Sequence, residues 1–213
     1  IRDNKYALFD LASATWSAPA PLRDDGWKIA ACPVNGPAAD ARGASLAVAW
    51  FTAANGVARV QARTSSDAGR TFGVPVAIDL GKPLGRIETV ALADGSAVVI
   101  WLEIGTAANA AGIYTRRLWP DGTLSAAALV ADSSQARASG FPRASLKKDG
   151  RLLMSWTHVG EKPQVRTLEF DPAALTRAPR SAAITRPAGG PPGLAALEFC
   201  DSPAMKSPSV SGQ

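Results

Sequence analysis

Three stretches of the chain repeat one pattern, and this repeat limits the possible folds more than any other feature. Each stretch has a turn containing glycine, then an aliphatic run that ends in tryptophan. The tryptophans are Trp50, Trp101 and Trp156, spaced 51 and 55 residues apart. The glycines are Gly43, Gly95 and Gly150, spaced 52 and 55 residues apart. Repeats of this length usually form one supersecondary unit each, and neighbouring units bury each other's apolar faces. The chain is therefore predicted to stack similar units.

Each unit reads as four short antiparallel strands. Asp-Gly pairs at 94–95 and 149–150 separate strand-like runs, and both residue types tolerate the positive φ of a tight hairpin. Four-stranded units of this size are typical of β-propellers. The sequence therefore predicts an all-β fold, a partial propeller over residues 1–186. Its blades lie near 36–80, 86–131 and 139–186, with strands expected near 36–41, 44–52, 57–65, 72–79, 86–92, 96–103, 111–119, 123–131, 140–147, 151–158, 163–170 and, weakly, 181–186.

The two ends of the chain differ from the repeats. Residues 1–22 look like the end of an earlier blade, so the chain holds about three blades plus a remnant. Either further blades are missing or the assembly exposes a sheet edge, and we favour a fragment of a longer propeller. Residues 187–213 are rich in proline, glycine and serine, which predicts a flexible tail.

Composition excludes several classes of protein. Hydrophobic residues make up 46% of the 213 residues and charged residues 19%, which suits a folded core. The net charge of +5 is scattered, so no nucleic-acid partner is predicted. No apolar run is long enough to span a membrane. With one histidine, His158, and two cysteines, Cys32 and Cys200, neither a metal site, a cofactor nor a Ser-His-Asp triad is expected.

An eight-residue segment of the first unit carries a specific turn motif. It reads S-S-D-A-G-R-T-F from Ser65 to Phe72. The Asp67 carboxylate is expected to accept backbone N–H groups across the turn, and Thr71 to bond back to it. Gly69 is expected to adopt a left-handed conformation, with the Phe72 ring buried beneath the hairpin. These five residues are predicted to be structural, and residues 118–124 look like a degenerate copy.

This motif fits the pattern S-x-D-x-G-x-T-[WF], and the chain resembles the sialidase-like (BNR/Asp-box) family of six-bladed β-propellers. More narrowly, residues 25–37, D-G-W-K-I-A-A-C-P-V-N-G-P, resemble a segment of bacterial exo-α-sialidase-like proteins. The resemblance covers roughly residues 1–170. It implies a secreted or periplasmic protein whose relatives carry a further Cys-rich N-terminal portion, so Cys32 is expected to lack its partner.

The resemblance also implies where a ligand would bind. In a propeller, the connections between blades and those between second and third strands surround a central funnel, away from the Asp-box turns. A sialidase clamps the sugar carboxylate with arginines, through bidentate charge-assisted bonds. Arg86 and Arg143 each open the innermost strand of a blade and are the candidate clamps. Trp27 and Asn35 lie in the first funnel connection and are further candidates for substrate binding.

Catalysis by a sialidase needs a tyrosine nucleophile activated by glutamate and an aspartate as acid/base. Asp25, in the first funnel connection, and Glu88, two residues after Arg86, are the candidate catalytic residues. The two tyrosines, Tyr6 and Tyr114, both lie outside the predicted funnel connections. The residues therefore leave open whether the protein hydrolyses a glycosidic bond.

Several interpretations of function stay open. The first is a glycoside hydrolase, or an acidic-sugar-binding descendant, that acts on glycans ending in sialic-acid-type sugars. The alternative is a non-catalytic Asp-box propeller that binds a protein partner. A weaker third is a fragment that is inactive alone. Structural roles also remain open for single residues: Arg86 and Arg143 could pair with surface carboxylates, and the Trp27 ring could be tucked under its loop.

Overall fold

The computed structural model describes residues 1–31 and 34–178, and over these residues the protein is all-β. Cys32, Cys200, the expected strand at 181–186 and the tail from residue 187 lie outside the described residues. Among the described residues, the helices are single 3₁₀ turns at Ala54–Gly56, Arg137–Ser139 and Pro172–Ala174, too short to cross a membrane.

Two four-stranded antiparallel sheets form the centre of the molecule. The first sheet contains β5 (Ala38–Arg42), β6 (Ser45–Thr52), β7 (Arg59–Ser65) and β8 (Val76–Ala77), paired in that order. The second contains β9 (Pro83–Ala91), β10 (Ala97–Ile104), β11 (Ala110–Leu118) and β12 (Ala128–Ser134). Within each sheet, every strand after the first pairs with the strand that precedes it in the chain, so each sheet is an open meander, as the repeat predicts.

Smaller sheets flank these two. At the N-terminus, β1 (Lys5–Tyr6) pairs with β4 (Ala20–Pro21), and β2 (Phe9–Asp10) pairs with β3 (Thr15–Trp16), which together make one irregular hairpin. The third sheet contains β13 (Arg143–Leu146), β14 (Leu152–His158) and β15 (Gln164–Phe170). Every strand expected before residue 171 is present. The fourth strands begin later than expected, and in the first sheet Pro75, which has no backbone N–H, precedes the short β8.

The three repeated tryptophans occupy equivalent places. Each lies on the second strand of its sheet and packs back against the preceding unit. Trp50 contacts Leu22 of the hairpin region, Trp101 lies in the core between the first and second sheets, and Trp156 packs against the core between the second and third. Trp50 and Trp101 are buried, whereas Trp156 is only half-buried beside the exposed strand β15.

Apolar side chains on both faces of the second sheet explain the stacking. Val99 and Trp101 face the first sheet, whereas Val98, Ile100 and Leu102 face the third. A strand that is apolar on both faces is stable only between two other layers. The second sheet is therefore the middle layer, and its neighbours position the first strands β5, β9 and β13 beside one another.

Candidate functional site

The first strands of the three sheets border an open polar groove. Residues 39–42 of β5, 88–91 of β9 and 143–146 of β13 line this inner-strand groove, whose volume is about 410 Å³. Its charged residues are Asp40, Arg42, Glu88 and Arg143. Two predicted site residues, Glu88 and Arg143, therefore meet here, and the groove is a candidate ligand site.

Arg143 and Glu88 form an ion pair across the groove. Arg143 Nε lies 3.0 Å from Glu88 Oε2, but the N–H is not aligned for a hydrogen bond, and this buried oxygen has no hydrogen-bond donor among the described residues. The Arg143 side chain is 75% exposed, whereas the Glu88 side chain is buried. The Arg143 guanidinium is therefore largely exposed to the groove, and the buried Glu88 carboxylate contacts it on one side.

Burial raises the pKa of Glu88 above its ordinary value. The backbone N–H of Thr89 and the charge of Arg143 oppose this shift, whereas the charge of Asp40 adds to it. Asp40 itself accepts the Ala91 N–H at 2.8 Å, so it joins β5 to β9. The two carboxylates thus lie on adjacent inner strands, and burial makes the charged form of Glu88 costly.

Arg86 does not project freely into the groove. Its side chain is buried, and its guanidinium donates to the carbonyl oxygens of Gln135 and Ala136, each at 3.1 Å, and to Ser139 Oγ. Burial lowers the pKa of Arg86. Arg86 and Glu88 both lie on β9, but the two predicted clamp arginines, Arg86 and Arg143, have separate partners.

Asn35 supports the backbone at the start of β9. Its Nδ2 donates to Leu84 O at 3.1 Å, and its Oδ1 accepts the Arg86 N–H at 2.9 Å. The Asn35 side chain therefore links the connection before β5 to the first residues of β9. A substrate-binding role for Asn35 would depend on its second amide N–H or on the second lone pair of Oδ1, because these bonds use one donor and one acceptor position.

The other predicted residues of the first connection contact side chains of β6. Asp25 accepts the Trp50 Nε1–H at 3.3 Å and forms an ion pair with Arg23 at 3.0 Å. Trp27 is 7% exposed, and its ring lies edge-on to Phe51 with centroids 5.6 Å apart. Trp27 therefore presents no open ring face for a sugar, and Asp25 has a structural partner on each carboxylate oxygen.

The Asp-box turn has the predicted hydrogen bonds. Asp67 Oδ1 accepts from Ser65 Oγ at 2.7 Å and from the Thr71 N–H at 2.8 Å, and Oδ2 accepts from Thr71 Oγ1 at 2.6 Å. These donors lower the pKa of Asp67 to about 2. Gly69 has φ +83°, and the Phe72 ring packs edge-on against Tyr6. The turn follows β7, at the end of the sheet opposite the starts of the first strands.

Similar turns recur in the other units. Asp121 accepts from the Thr123 N–H and hydroxyl, and its pKa is likewise lowered to about 2. Asp10, in the N-terminal hairpin, accepts the N–H groups of Ala12 and Ser13. The motif does not match this turn, because the segment from Asp10 to Thr15 is one residue longer than that from Asp67 to Thr71. Its signal is the pair Thr15-Trp16, which matches the end of the motif.

Glu103 has a structural role that was not predicted from the sequence. Its buried carboxylate accepts the Trp101 Nε1–H at 2.6 Å and the Lys82 N–H from the connection between the first two sheets. Burial raises the pKa of Glu103, although the indole and backbone donors oppose the shift. Its position two residues after a repeated tryptophan was the available signal.

The described residues place no tyrosine nucleophile in the groove and form no metal-binding cluster. Tyr6 packs against Phe72, and Tyr114 stacks on Trp101 at 5.9 Å, so neither described tyrosine lines the groove. Within residues 1–31 and 34–178, no cluster of His, Cys, Asp and Glu side chains could hold a metal ion.

Comparison with known proteins adds no relative. No protein-family model matches the chain, and no curated protein matches it. The function must therefore be inferred from the groove and its side chains.

Proposed function

We propose that the chain is part of a sialidase-like β-propeller and that it binds a carboxylate-bearing sugar of the sialic-acid type in the inner-strand groove. Three features support the propeller arrangement. The sheets are meanders stacked in chain order, their first strands lie beside one another, and Asp-centred turns follow the third strands of the first two sheets.

Exposure of Arg143 is the observation that carries the binding proposal. Only Nε approaches Glu88, and neither terminal nitrogen donates to a described residue. A planar carboxylate is the natural partner of these two nitrogens, because it accepts two parallel N–H bonds. The Glu88 ion pair limits the number of conformations of the Arg143 side chain, which lowers the entropy cost of binding.

The geometry favours binding over hydrolysis. The half-buried tyrosines Tyr6 and Tyr114 pack against Phe72 and Trp101, and Asp25 is bonded to Trp50 and Arg23. Glu88 supports Arg143 and has no tyrosine beside it in the groove. We therefore assign the described residues to recognition of the sugar acid, and the catalytic roles predicted for Asp25 and Glu88 remain proposals for a hydrolase of the same family.

Calorimetric titration of the 213-residue chain with N-acetylneuraminic acid tests this function. Losing a charge-assisted contact of about 1.5–3 kcal/mol in Arg143→Ala should weaken binding about ten- to a hundredfold. Arg151→Ala is the matched control, because Arg151 directly precedes β14 of the same sheet but pairs with Glu169 on β15, the strand on the other side of β14 from β13. The proposal fails if the wild-type chain does not bind the sugar, or if Arg143→Ala binds as tightly as wild type.

A second candidate, a protein-interaction propeller, is favoured by one surface. Phe9, Leu11 and Trp16 of the N-terminal hairpin are 44%, 88% and 68% exposed, and the two rings pack together at 5.0 Å. Adjacent exposed apolar side chains of this kind often mark a contact surface. A photo-crosslinking residue at position 16 should capture a defined protein more strongly than one at position 143 if this function is correct, and equally weak capture at both positions would reject it.

A further inference from the structure

Arg86 is buried without an acidic partner, which is unusual for an arginine. It is 8% exposed, and none of the described carboxylates forms an ion pair with it. All its side-chain partners belong to the connection between β12 and β13: two carbonyl oxygens, of Gln135 and Ala136, and the Ser139 hydroxyl. A buried charge of this kind is tolerated because several acceptors surround it.

The backbone at Arg86 adopts a conformation that costs energy. Arg86 has φ +54° and Gly85 has φ +87°, and the pairing of β9 with β10 skips Trp101, which marks a β-bulge. A left-handed conformation costs a non-glycine residue free energy, and it persists only where the surroundings hold it. Asn35 supplies that hold, since its side chain bonds to Leu84 O and to the Arg86 N–H. The bulge turns the Arg86 side chain toward the next connection.

The next connection is folded around this guanidinium. The Ser139 hydroxyl is positioned to donate to Ser134 O at 2.8 Å or Ala136 O at 2.9 Å, and the Gly140 N–H bonds to Arg137 O. These bonds close residues 134–140 into a compact loop whose carbonyl oxygens point inward. Three residues after Gly140, Arg143 begins β13. The acceptors of Arg86 therefore belong to the loop that sets the position of Arg143.

We propose that Arg86 is a positioning residue for Arg143: it holds the 134–140 loop so that the Arg143 guanidinium faces the groove, and it does not itself contact the ligand. This inference rests on the proposed function for its binding test. It differs from the two-arginine clamp expected from the sequence, because only one of the two arginines meets the sugar carboxylate.

A double-mutant cycle separates positioning from direct contact. Arg86→Lys keeps the charge but loses the planar fork that reaches several acceptors, and it should weaken N-acetylneuraminic acid binding about five- to tenfold, the net contribution of about one hydrogen bond. In an Arg143→Lys background, the same change should weaken binding less than about twofold, because the residue that Arg86 positions has already been replaced. Equal losses in both backgrounds would mean that Arg86 contacts the sugar and would overturn the inference.

Hydrogen exchange provides a readout that needs no ligand. In Arg86→Lys, the amides of Ser139 and Gly140 should exchange at least about tenfold faster, while those of β6 and β7 stay unchanged. The matched control is Arg137→Ala, an exposed arginine of the same loop, which should leave these rates as in wild type. If the wild-type chain binds no acidic sugar, the proposed function is wrong. If exchange at 139–140 is unchanged in Arg86→Lys, Arg86 does not hold this loop and the inference is wrong.

Discussion

Replacing Trp101 with phenylalanine tests the packing of the repeated units most sharply. Trp101 is fully buried, and its Nε1–H donates to the buried carboxylate of Glu103 at 2.6 Å. Losing a hydrogen bond to a charged acceptor costs about 1.5–3 kcal/mol, and the smaller ring leaves a void that costs about 1 kcal/mol more. Trp101→Phe should therefore lower the free energy of unfolding by about 2.5–4 kcal/mol, a large part of the usual 5–15 kcal/mol.

Trp156→Phe is the matched comparison at the equivalent position. The Trp156 Nε1 atom is buried but has no hydrogen-bond acceptor among the described residues, and the side chain is half-buried. This substitution removes packing without removing a described hydrogen bond, so it should cost only about 1 kcal/mol. The difference between the two variants then isolates the contribution of the indole–Glu103 bond.

The effect of Trp101→Phe should also depend on pH. Burial already raises the pKa of Glu103, and loss of the indole donor raises it further. A raised carboxyl pKa penalises the folded protein above that pKa, where the unfolded chain ionises freely. The destabilisation should therefore be smallest at acidic pH and grow as the pH rises through the folded-state pKa of Glu103.

Urea unfolding followed by tryptophan fluorescence gives the free energies of both variants. A Glu103→Gln variant, alone and combined with Trp101→Phe, completes a double-mutant cycle whose coupling should be about 1–3 kcal/mol. Equal destabilisation by Trp101→Phe and Trp156→Phe, or a coupling near zero, would refute the reasoning.

Three further predictions follow from single contacts. Asp67→Asn should lower the melting temperature at neutral pH. The difference in melting temperature from wild type should disappear as the pH falls from 3.8 toward 2, because the Asp67 carboxylate stabilises the fold only while ionised. A difference that stays constant with pH would contradict this. Glu88→Gln should remove the loss of stability that wild type shows as the pH rises through the raised pKa of Glu88, measured by urea unfolding across pH. Gly85→Ala should destabilise the chain by about 1–3 kcal/mol, because φ is +87° and the new Cβ would lie 2.6 Å from the Asn35 side chain; an unchanged melting temperature would show that the bulge relaxes.

The repeat made the fold predictable to the level of strands and sheets. Glycine turns followed by tryptophan-terminated runs predicted the second strands, and the Asp box predicted the turn after β7, because these signals are local. Pairing in chain order follows from short hairpin connections. The late start of β12 was not predictable, since the residues before it form two isolated bridges, Leu118 to Leu124 and Ser125 to Arg177, instead of a continuous strand.

The site was less predictable, because it depends on contacts between units. Strand position correctly brought Glu88 and Arg143 to the first strands, but it could not show that the Arg86 side chain turns into a loop about fifty residues later in the chain. That direction depends on a β-bulge held by Asn35. Likewise, the burial of Trp27 depends on Phe51 across the connection, which no local pattern reveals.

Nuclear magnetic resonance of the Arg143 side chain tests whether this arginine binds the sugar acid. The Nε–H signal of Arg143, assigned by its loss in Arg143→Lys, is followed while N-acetylneuraminic acid is added to the 213-residue chain. We expect this signal to shift and to saturate with the Kd found by calorimetry, while the Arg86 Nε–H signal moves little. A saturable shift confined to the Asp-box end, around Asp67 and Asp121, with the Arg143 signal unmoved, would contradict the account.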